Sequence, residues 1–458
     1  MHPTDTIAAL ATARGAAALA VVRVSGPEAV RIAASRFEGA NLTGVPSHTA
    51  HVGFFLDEEG HRLDQVVATV FRAPRSSTGE DVVEVTCHGG DLAPQLVLRS
   101  LLDAGARPAA PGEFTQRAFL HGKLDLTQAE AVADLIHARS GLAHRVALAH
   151  LQGRYGEAVG RLRAALVETT ALVELELDFS EEDVAFAHRD DLAALLQEAD
   201  HLLTTLLDSA RLGALVRDGV RVVLGGRPNA GKSTLLNALL GHDRAIVSET
   251  PGTTRDAVEA EGELGGLRFV FVDTAGLRAT ADAVEAEGVR RTHRAIAGAD
   301  ALVYVFDATV GLDEDEQAFL DRLAGEKPAL PVVPVANKVD LLPPGGVQSG
   351  DALALSAREA LAEPARLASL RQALLDAVTP GLADAEGSGV VVNERQRRHL
   401  ADAHEAVRRA QAALDAGVSG DRLALDLRAA LGALGAVTGA VTNEDVLDAI
   451  FSRFCIGK

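Results

Sequence analysis

Cysteine is almost absent from these 458 residues. Cys87 and Cys455 are too few and too far apart for a disulfide framework or a four-ligand zinc site, so a reducing, cytoplasmic setting is expected. Lysine is scarce too: Lys123, Lys232, Lys327, Lys338 and Lys458 stand against 39 arginines. Where arginine is so strongly preferred, a lysine marks a place that needs a compact ammonium rather than a guanidinium fork. No membrane-length apolar run occurs either. The nearest, residues 7–24, is broken by Arg14, Gly15 and Arg23, has no basic leader, and reads as buried strands; no membrane association is expected. A formal charge of −20 weighs against a surface that grips nucleic acid everywhere, though local basic patches can still do so.

What is present suffices for a globular protein of roughly three domains, with 47% hydrophobic residues for their cores. Residues 1–121 alternate short apolar runs (18–24, 66–71, 82–86) with Gly/Pro punctuation and one helix near 92–102, an α+β pattern. Over 122–215 the texture turns helical with almost no proline, and Thr127-Gln-Ala-Glu130 reads as a capping box at its start. Over 216–380 apolar runs (220–224, 269–272, 302–306, 332–336) alternate with helices, the signature of a doubly wound parallel sheet. Helices return over 381–458, with Thr442-Asn-Glu-Asp445 as a second capping box. The expected architecture is multidomain α/β: an α+β N-terminal domain, a discontinuous helical domain whose two parts pack together, and an inserted Ras-like P-loop domain.

The insert carries the chemistry. Gly226-Arg-Pro-Asn-Ala-Gly231-Lys232-Ser233 follows one apolar run and precedes a helix over 234–240, the context of a phosphate-binding loop. Backbone amides of Asn229, Ala230, Gly231, Lys232, Ser233 and Thr234 face phosphate oxygens there, Lys232 reaches the β and γ groups, and Ser233 holds Mg²⁺. Asp273, Thr274, Ala275 and Gly276 end the second run, where a carboxylate holds the metal through water and a glycine amide approaches the γ-phosphate. Thr254 lies between these elements and completes the magnesium shell. Asn337, Lys338 and Asp340 close the fourth run. Asp340 accepts both donors of the guanine Watson–Crick edge, whereas adenine leaves that carboxylate against an acceptor. Ser356, Ala357 and Arg358 supply amides near the guanine carbonyl. Four motifs in this order, each at the carboxyl end of a strand, select GTP over ATP. After Gly276 comes Leu277, where Ras-like enzymes carry a water-orienting glutamine, so water must be positioned otherwise. Asn229 offers an amide oxygen for a monovalent cation against the phosphates, under a loop over 248–253, or is simply a turn residue after Pro228.

These motifs, together with Thr-Gly-Glu-Asp at 78–81, Cys-His-Gly-Gly at 87–90, Gly-Glu-Phe-Thr-Gln-Arg-Ala-Phe-Leu at 112–120, Lys-Leu-Asp-Leu-Thr-Gln-Ala-Glu-Ala at 123–131 and Phe-Cys-Ile-Gly-Lys at 454–458, closely resemble the MnmE (TrmE) family of tRNA-modification GTPases. The resemblance covers essentially the whole chain. It implies an N-terminal folate-binding and dimerising domain, a split helical domain and an inserted G domain. It further implies a homodimer that joins the FAD-dependent flavoprotein MnmG in a heterotetramer. Together they install a carboxymethylaminomethyl- or aminomethyl-type group at C5 of the wobble uridine of certain tRNAs.

The resemblance also assigns roles by matching position. K⁺ falls to Asn229, Ser248, Thr250 and Thr253, in a nucleotide-contacting loop that also holds Glu249, Pro251 and Gly252. Mg²⁺ falls to Ser233 and Thr254. G domains that pair face to face around potassium do without an arginine finger, and Glu285 positions water; by sequence alone Glu285 is a solvated helix-face acid. A tetrahydrofolate derivative, 5-formyl or methylene, falls to Arg23, Glu80, Lys123 and Lys458, whose cations suit a ligand ending in carboxylates. Read without the family, Arg23 is an edge-strand surface charge. Cys455 is the reactive residue the resemblance implies; its plainer reading is a small buried thiol at a helix end.

For tRNA the sequence offers Arg139, Arg145, Arg154, Arg161 and Arg163, then Arg395, Arg397 and Arg398: either a basic surface or ordinary solvated helix faces. The rival function is a ribosome-assembly GTPase that binds RNA without altering it. Such proteins often append a KH module, and Gly417-Val-Ser-Gly420 has the GxxG spacing, but it fits a helix-to-helix turn better.

Overall fold

The computed structural model describes residues 5–178, 189–241, 258–273, 296–343, 350–378, 391–418, 420–442, 444–452 and 454–457. The chain divides into two compact units, one of residues 1–136, 148–203 and 398–458, the other of 137–147 and 204–397.

In the first unit, Ile7–Leu10 (β1), Leu19–Ser25 (β2), Phe37–Glu38 (β3), Thr49–Leu56 (β4), Arg62–Phe71 (β5), Val82–His88 (β6) and Arg107–Pro108 (β7) form one sheet in the order β3-β4-β5-β6-β2-β1-β7. The pairings are antiparallel except that of β1 with β7. Strand alternation sorts the side chains onto two faces. Ala8, Val22, Val24, Val83 and Val85 share a core with Ile32 of Ala29–Ser35 (α1) and Leu101 of Ala93–Asp103 (α2). Ile7 and Ala9 instead meet Phe114, from helix Glu113–Leu120 (α3), on the opposite face.

Helices dominate the rest of this unit. The expected cap at Thr127 is displaced: helix Leu126–His137 (α4) is capped by Asp125, whose Oδ1 accepts from the Gln128 backbone N–H at 2.8 Å while Gln128 Oε1 accepts from the Asp125 N–H at 3.0 Å. Two overlapping box patterns compete here, and aspartate outranks threonine as a cap. Thr127 is buried and donates to Asp125 at 2.6 Å. Arg154–Asp178 (α6), which follows Gly141–Leu151 (α5), packs against Gly420–Thr438, with Arg428 on Glu174 at 2.6 Å. Asp200, on helix Arg189–Asp218 (α7), meets His404 at 2.8 Å. Helical segments from both sides of the insert thus share this unit. Gly417 ends the turn after Glu394–Asp415 and a helix begins at Gly420, while Ser419, within the GxxG spacing, lies outside the described residues. Of the second expected capping box, Asn443 lies outside the described residues, and a helix spans Glu444–Phe451.

The second unit is built on Val220–Gly225 (β8), Val258–Leu264 (β9), Leu267–Asp273 (β10), Ala301–Asp307 (β11), Val332–Asn337 (β12) and Leu353–Ala354 (β13), in the order β13-β12-β11-β8-β10-β9. Alternate residues enter two separate cores. Val222, Leu224, Phe271 and Val303 face one; Val223, Val272, Leu302 and Tyr304 face the other. Burying each such side chain contributes about 1.5–3 kcal/mol. Sheets covered on both faces read as continuous apolar runs for this reason. The sheet departs from a purely parallel one at its edge, where β9 runs antiparallel to β10 through a Gly265–Gly266 turn. Residues of the 137–147 segment join the same core through Leu142 and Val146, and the Leu142 N–H donates to the Gly266 carbonyl at 3.1 Å. Among the described residues no helix is long and apolar enough to cross a membrane.

Candidate functional site: a phosphate loop beside a purine-selecting loop

Strand β8 delivers the chain into the loop 226–231, and helix Lys232–Leu240 (α8) begins at its end. Glycine is required twice. A Cβ on Gly226 would collide with the Val305 carbonyl oxygen, and one on Gly231 would collide with Asn337 Nδ2. Asn229 adopts a positive φ of 63°, the left-handed conformation that asparagine tolerates in turns. Lys232 is 4% exposed, and its Nζ donates to the carbonyls of Gly226 at 2.6 Å and Arg227 at 2.7 Å. Burial lowers its pKa from the usual lysine range, with Asp273 opposing that shift.

Parallel strands β8, β10, β11 and β12 end together and bring the other motifs alongside. Asp273, 4% exposed at the end of β10, accepts from Ser233 Oγ at 2.8 Å. Asn337, buried at the end of β12, ties two loops together: its Nδ2 donates to the Ala230 carbonyl and its Oδ1 accepts from the Ala357 N–H, both at 2.8 Å. Lys338, at a positive φ of 67°, reaches Asp307 at 2.6 Å. Burial raises the Asp307 pKa, but the hydrogen bonds from Lys338 and Thr309 outweigh it and hold the carboxyl below the usual range. Asp340 is exposed on the short turn Val339–Leu341. Ser356 accepts from the Glu359 N–H at 3.2 Å and starts helix Ala357–Ala360, on which Arg358 is exposed. Thr234 lies in the first turn of α8. Ser248, Glu249, Thr250, Pro251, Gly252, Thr253, Thr254, Thr274, Ala275, Gly276 and Glu285 lie outside the described residues.

Two features of the site go beyond the sequence reading. Asp307 is not among the expected residues, although an acid at the carboxyl end of a strand beside the lysine-bearing loop is a readable signal. Arg227 pairs with Asp313 and Glu316, far along the chain, and nothing local announces that.

In the first unit, Arg23 is not on an edge strand: β2 lies between β1 and β6, and Arg23 meets Glu84 at 2.7 Å and stands 5.6 Å from the Phe114 ring centre. Glu80 accepts from Ser25 at 2.8 Å and from Arg117 Nη1 at 3.1 Å. Arg117 lies one turn beyond Phe114 on α3, so Arg23 and Glu80 share one neighbourhood. Lys123 donates to the Pro74 carbonyl at 3.2 Å, and its stem lies against Gly79. Lys458 lies outside the described residues. Cys455 is exposed, which overturns its reading as a buried thiol, and its carbonyl accepts from the Gly112 N–H at 3.4 Å. The arginines expected to meet RNA divide between the two units. Arg154 and Arg161 are exposed, whereas Arg139 reaches Glu261 at 3.6 Å and Arg397 reaches Glu394 at 2.8 Å.

Residues 6–123 match the family described as the N-terminus of the GTP-binding protein TrmE, and residues 126–455 match the MnmE helical domain. The chain is 61% identical over 461 residues to the tRNA modification GTPase MnmE of Salinibacter ruber, with 100% of both chains covered. The chain belongs to the MnmE (TrmE) family. It is 43% identical over 459 residues to the tRNA modification GTPase MnmE of Cytophaga hutchinsonii, covering 99% of this chain and 98% of that one. Membership makes this chain a GTP hydrolase with an N-terminal TrmE domain, a helical domain and a P-loop GTPase portion. Among solved structures, Aquifex aeolicus Era bound to GDP·AlF4⁻ is 25% identical over 41% of this chain and 66% of that one, with a TM-score of 0.27.

Proposed function

We propose that this MnmE-family chain hydrolyses GTP to drive tRNA modification, acting with an FAD-dependent partner, MnmG, to add a carboxymethylaminomethyl- or aminomethyl-type group at C5 of the wobble uridine. One observation carries the nucleotide half of this reading: buried Lys232, Asp273 and Asn337 converge with Ser233 where parallel strands end. The loop holds its ammonium on two backbone carbonyls, ready to exchange them for phosphate oxygens. Ser233 and Asp273 form an all-oxygen pair that suits a hard divalent cation, so the residues fit Mg²⁺, whose chemistry is to neutralise charge on the β and γ oxygens. Asn337 holds the phosphate loop and the purine-selecting loop in one register, so that both ends of the nucleotide are read together.

The finer assignments rest on position within the family. Asn229, with Ser248, Thr250 and Thr253, holds K⁺; Thr254 joins Ser233 at Mg²⁺; and Glu285 orients the attacking water when G domains pair. Arg23, Glu80, Lys123 and Lys458 bind a tetrahydrofolate derivative. Arg23 and Glu80 flank the buried Phe114 and Arg117 of α3, which puts a cation and a carboxylate in one neighbourhood, a pairing that suits a ligand carrying both polar ring groups and carboxylates. Cys455, exposed near Gly112, is the reactive thiol. The chain acts in the cytoplasm as a homodimer, assembled with MnmG into a heterotetramer.

Nucleoside mass spectrometry of tRNA from a deletion strain tests the reading. Loss of the C5 modification supports it; unchanged wobble uridines defeat it and favour an RNA-binding assembly GTPase.

A further inference from the structure

Arg227 is the second residue of the phosphate loop, and its two ends do different things. Its carbonyl is one of the two acceptors of Lys232, at 2.7 Å, and also accepts from the Ala230 N–H at 3.3 Å. Its guanidinium turns away, pairs with Asp313, and lies 3.5 Å from Glu316 Oε1. Those acids cap helix Glu314–Glu326 reciprocally: Asp313 Oδ1 accepts from the Glu316 N–H at 2.8 Å, and Glu316 Oε2 from the Asp313 N–H at 3.2 Å. Glu316 is only 5% exposed and also accepts from Tyr304 Oη at 3.1 Å, a hydroxyl on β11. Two carboxylates at one helix start, Glu316 buried and Asp313 half-exposed, are favoured by a nearby cation. Arg227 supplies it, and is thereby fixed to the start of a helix that carries none of the nucleotide motifs.

We infer that Arg227 is a positioning residue: its ion cluster with Asp313 and Glu316 moors the phosphate loop so that the Arg227 carbonyl stands where Lys232 is poised for phosphate. The inference rests on the guanine-nucleotide reading of this site and adds to it a mooring point outside the nucleotide contacts. The loop is thus confined on one side by the close approach of Gly226 to the Val305 carbonyl and on the other by this ion cluster. Without the cluster, ordering of the loop is deferred to the moment of binding and weakens affinity. Binding of GDP and of GTP is expected to weaken, because the Lys232 ammonium that the Arg227 carbonyl holds serves the β-phosphate present in both.

The test compares three full-length variants with the parent chain, by titration with fluorescently labelled GDP and GTP and by steady-state turnover. Arg227→Met removes the charge and keeps the stem. Asp313→Asn with Glu316→Gln removes both acids while keeping groups able to cap the helix. The third variant combines all three changes. The first two are each expected to raise Kd for both nucleotides about tenfold, with kcat at saturating GTP within about threefold of the parent. The combined variant is expected to be no worse than either, since one interaction is lost in each. Thermal unfolding confirms that each variant is folded at the assay temperature. Parent-like affinity in the Asp313/Glu316 variant overturns the mooring, including the case where Arg227→Met alone loses affinity, since Arg227 then touches nucleotide itself. A parent chain that binds neither nucleotide sinks the guanine-nucleotide reading first, a result readily told apart from these.

Discussion

Asn337 is the residue whose loss separates an organised nucleotide site from a merely adjacent set of loops. Asn337→Ala leaves the Ala230 carbonyl and the Ala357 N–H without their side-chain partner, in a place where Asn337 itself is 2% exposed. An orphaned buried group costs about 1–3 kcal/mol, so the two together cost about 2–6 kcal/mol. If about 2 kcal/mol of that appears in binding, GDP affinity falls roughly thirtyfold. Asn337→Asp refines the test. It keeps an acceptor for the Ala357 N–H but sets a carboxylate oxygen against the Ala230 carbonyl, so it should be at least as harmful despite its near-identical size. The assay is equilibrium titration with labelled GDP, with circular dichroism to show that both variants are folded. Parent-like affinity in both would falsify the bridge, because the two loops would then hold their register without it. Loss in Asn337→Ala with full retention in Asn337→Asp would leave only the Ala357 bond as important.

Three further outcomes are expected. GTP turnover is faster in potassium than in sodium, and Asn229→Ala removes the difference; equal rates in the two salts for the parent chain dispose of the potassium assignment. Glu285→Ala slows hydrolysis at saturating GTP with little change in nucleotide affinity, and a large affinity loss assigns Glu285 a structural role instead. His150 is 5% exposed and stacked on Tyr155, and burial pushes its pKa from 6.5 down to about 4, with Glu130 and Asp125 opposing. Above pH 6.5 it is neutral folded or unfolded; as pH falls from there towards 4 the unfolded chain takes up a proton that the fold refuses, so stability is lost in that window, by up to about 3 kcal/mol. The urea midpoint of the parent should therefore drop more steeply between about pH 7 and 4.5 than that of His150→Gln, and parallel slopes count against the linkage.

Chemistry whose partners are local is legible in the sequence. The apolar runs mark β8, β10, β11 and β12 to within a residue or two, because strands buried on both faces leave few positions for polar side chains. Edge strand β9 is hard to read for the converse reason: Val258–Leu264 alternates with glutamates, as a half-solvated strand does, and only the Gly265–Gly266 pair marks the hairpin. At Thr127 two valid cap patterns overlap, and the stronger cap, Asp125, wins. Partners set by tertiary structure are out of reach. Arg23 reads as an edge residue because nothing near it shows that β1 and β6 flank its strand.

The same distinction explains why a lysine and an arginine in one short loop have opposite fates. Lys232 is legible because its role needs a compact ammonium that fits under backbone carbonyls, and a chain that otherwise writes arginine departs from habit there. Arg227 is illegible because arginine is this chain's default cation, so its choice carries no signal. Yet its planar fork is what spans two carboxylates separated by a helical turn, which a single ammonium point charge does less well. Arg227→Lys follows from this: charge is kept and the fork is lost. If geometry matters as well as charge, its GDP affinity should fall between those of the parent chain and Arg227→Met, and parent-like binding would show that any cation moors the loop.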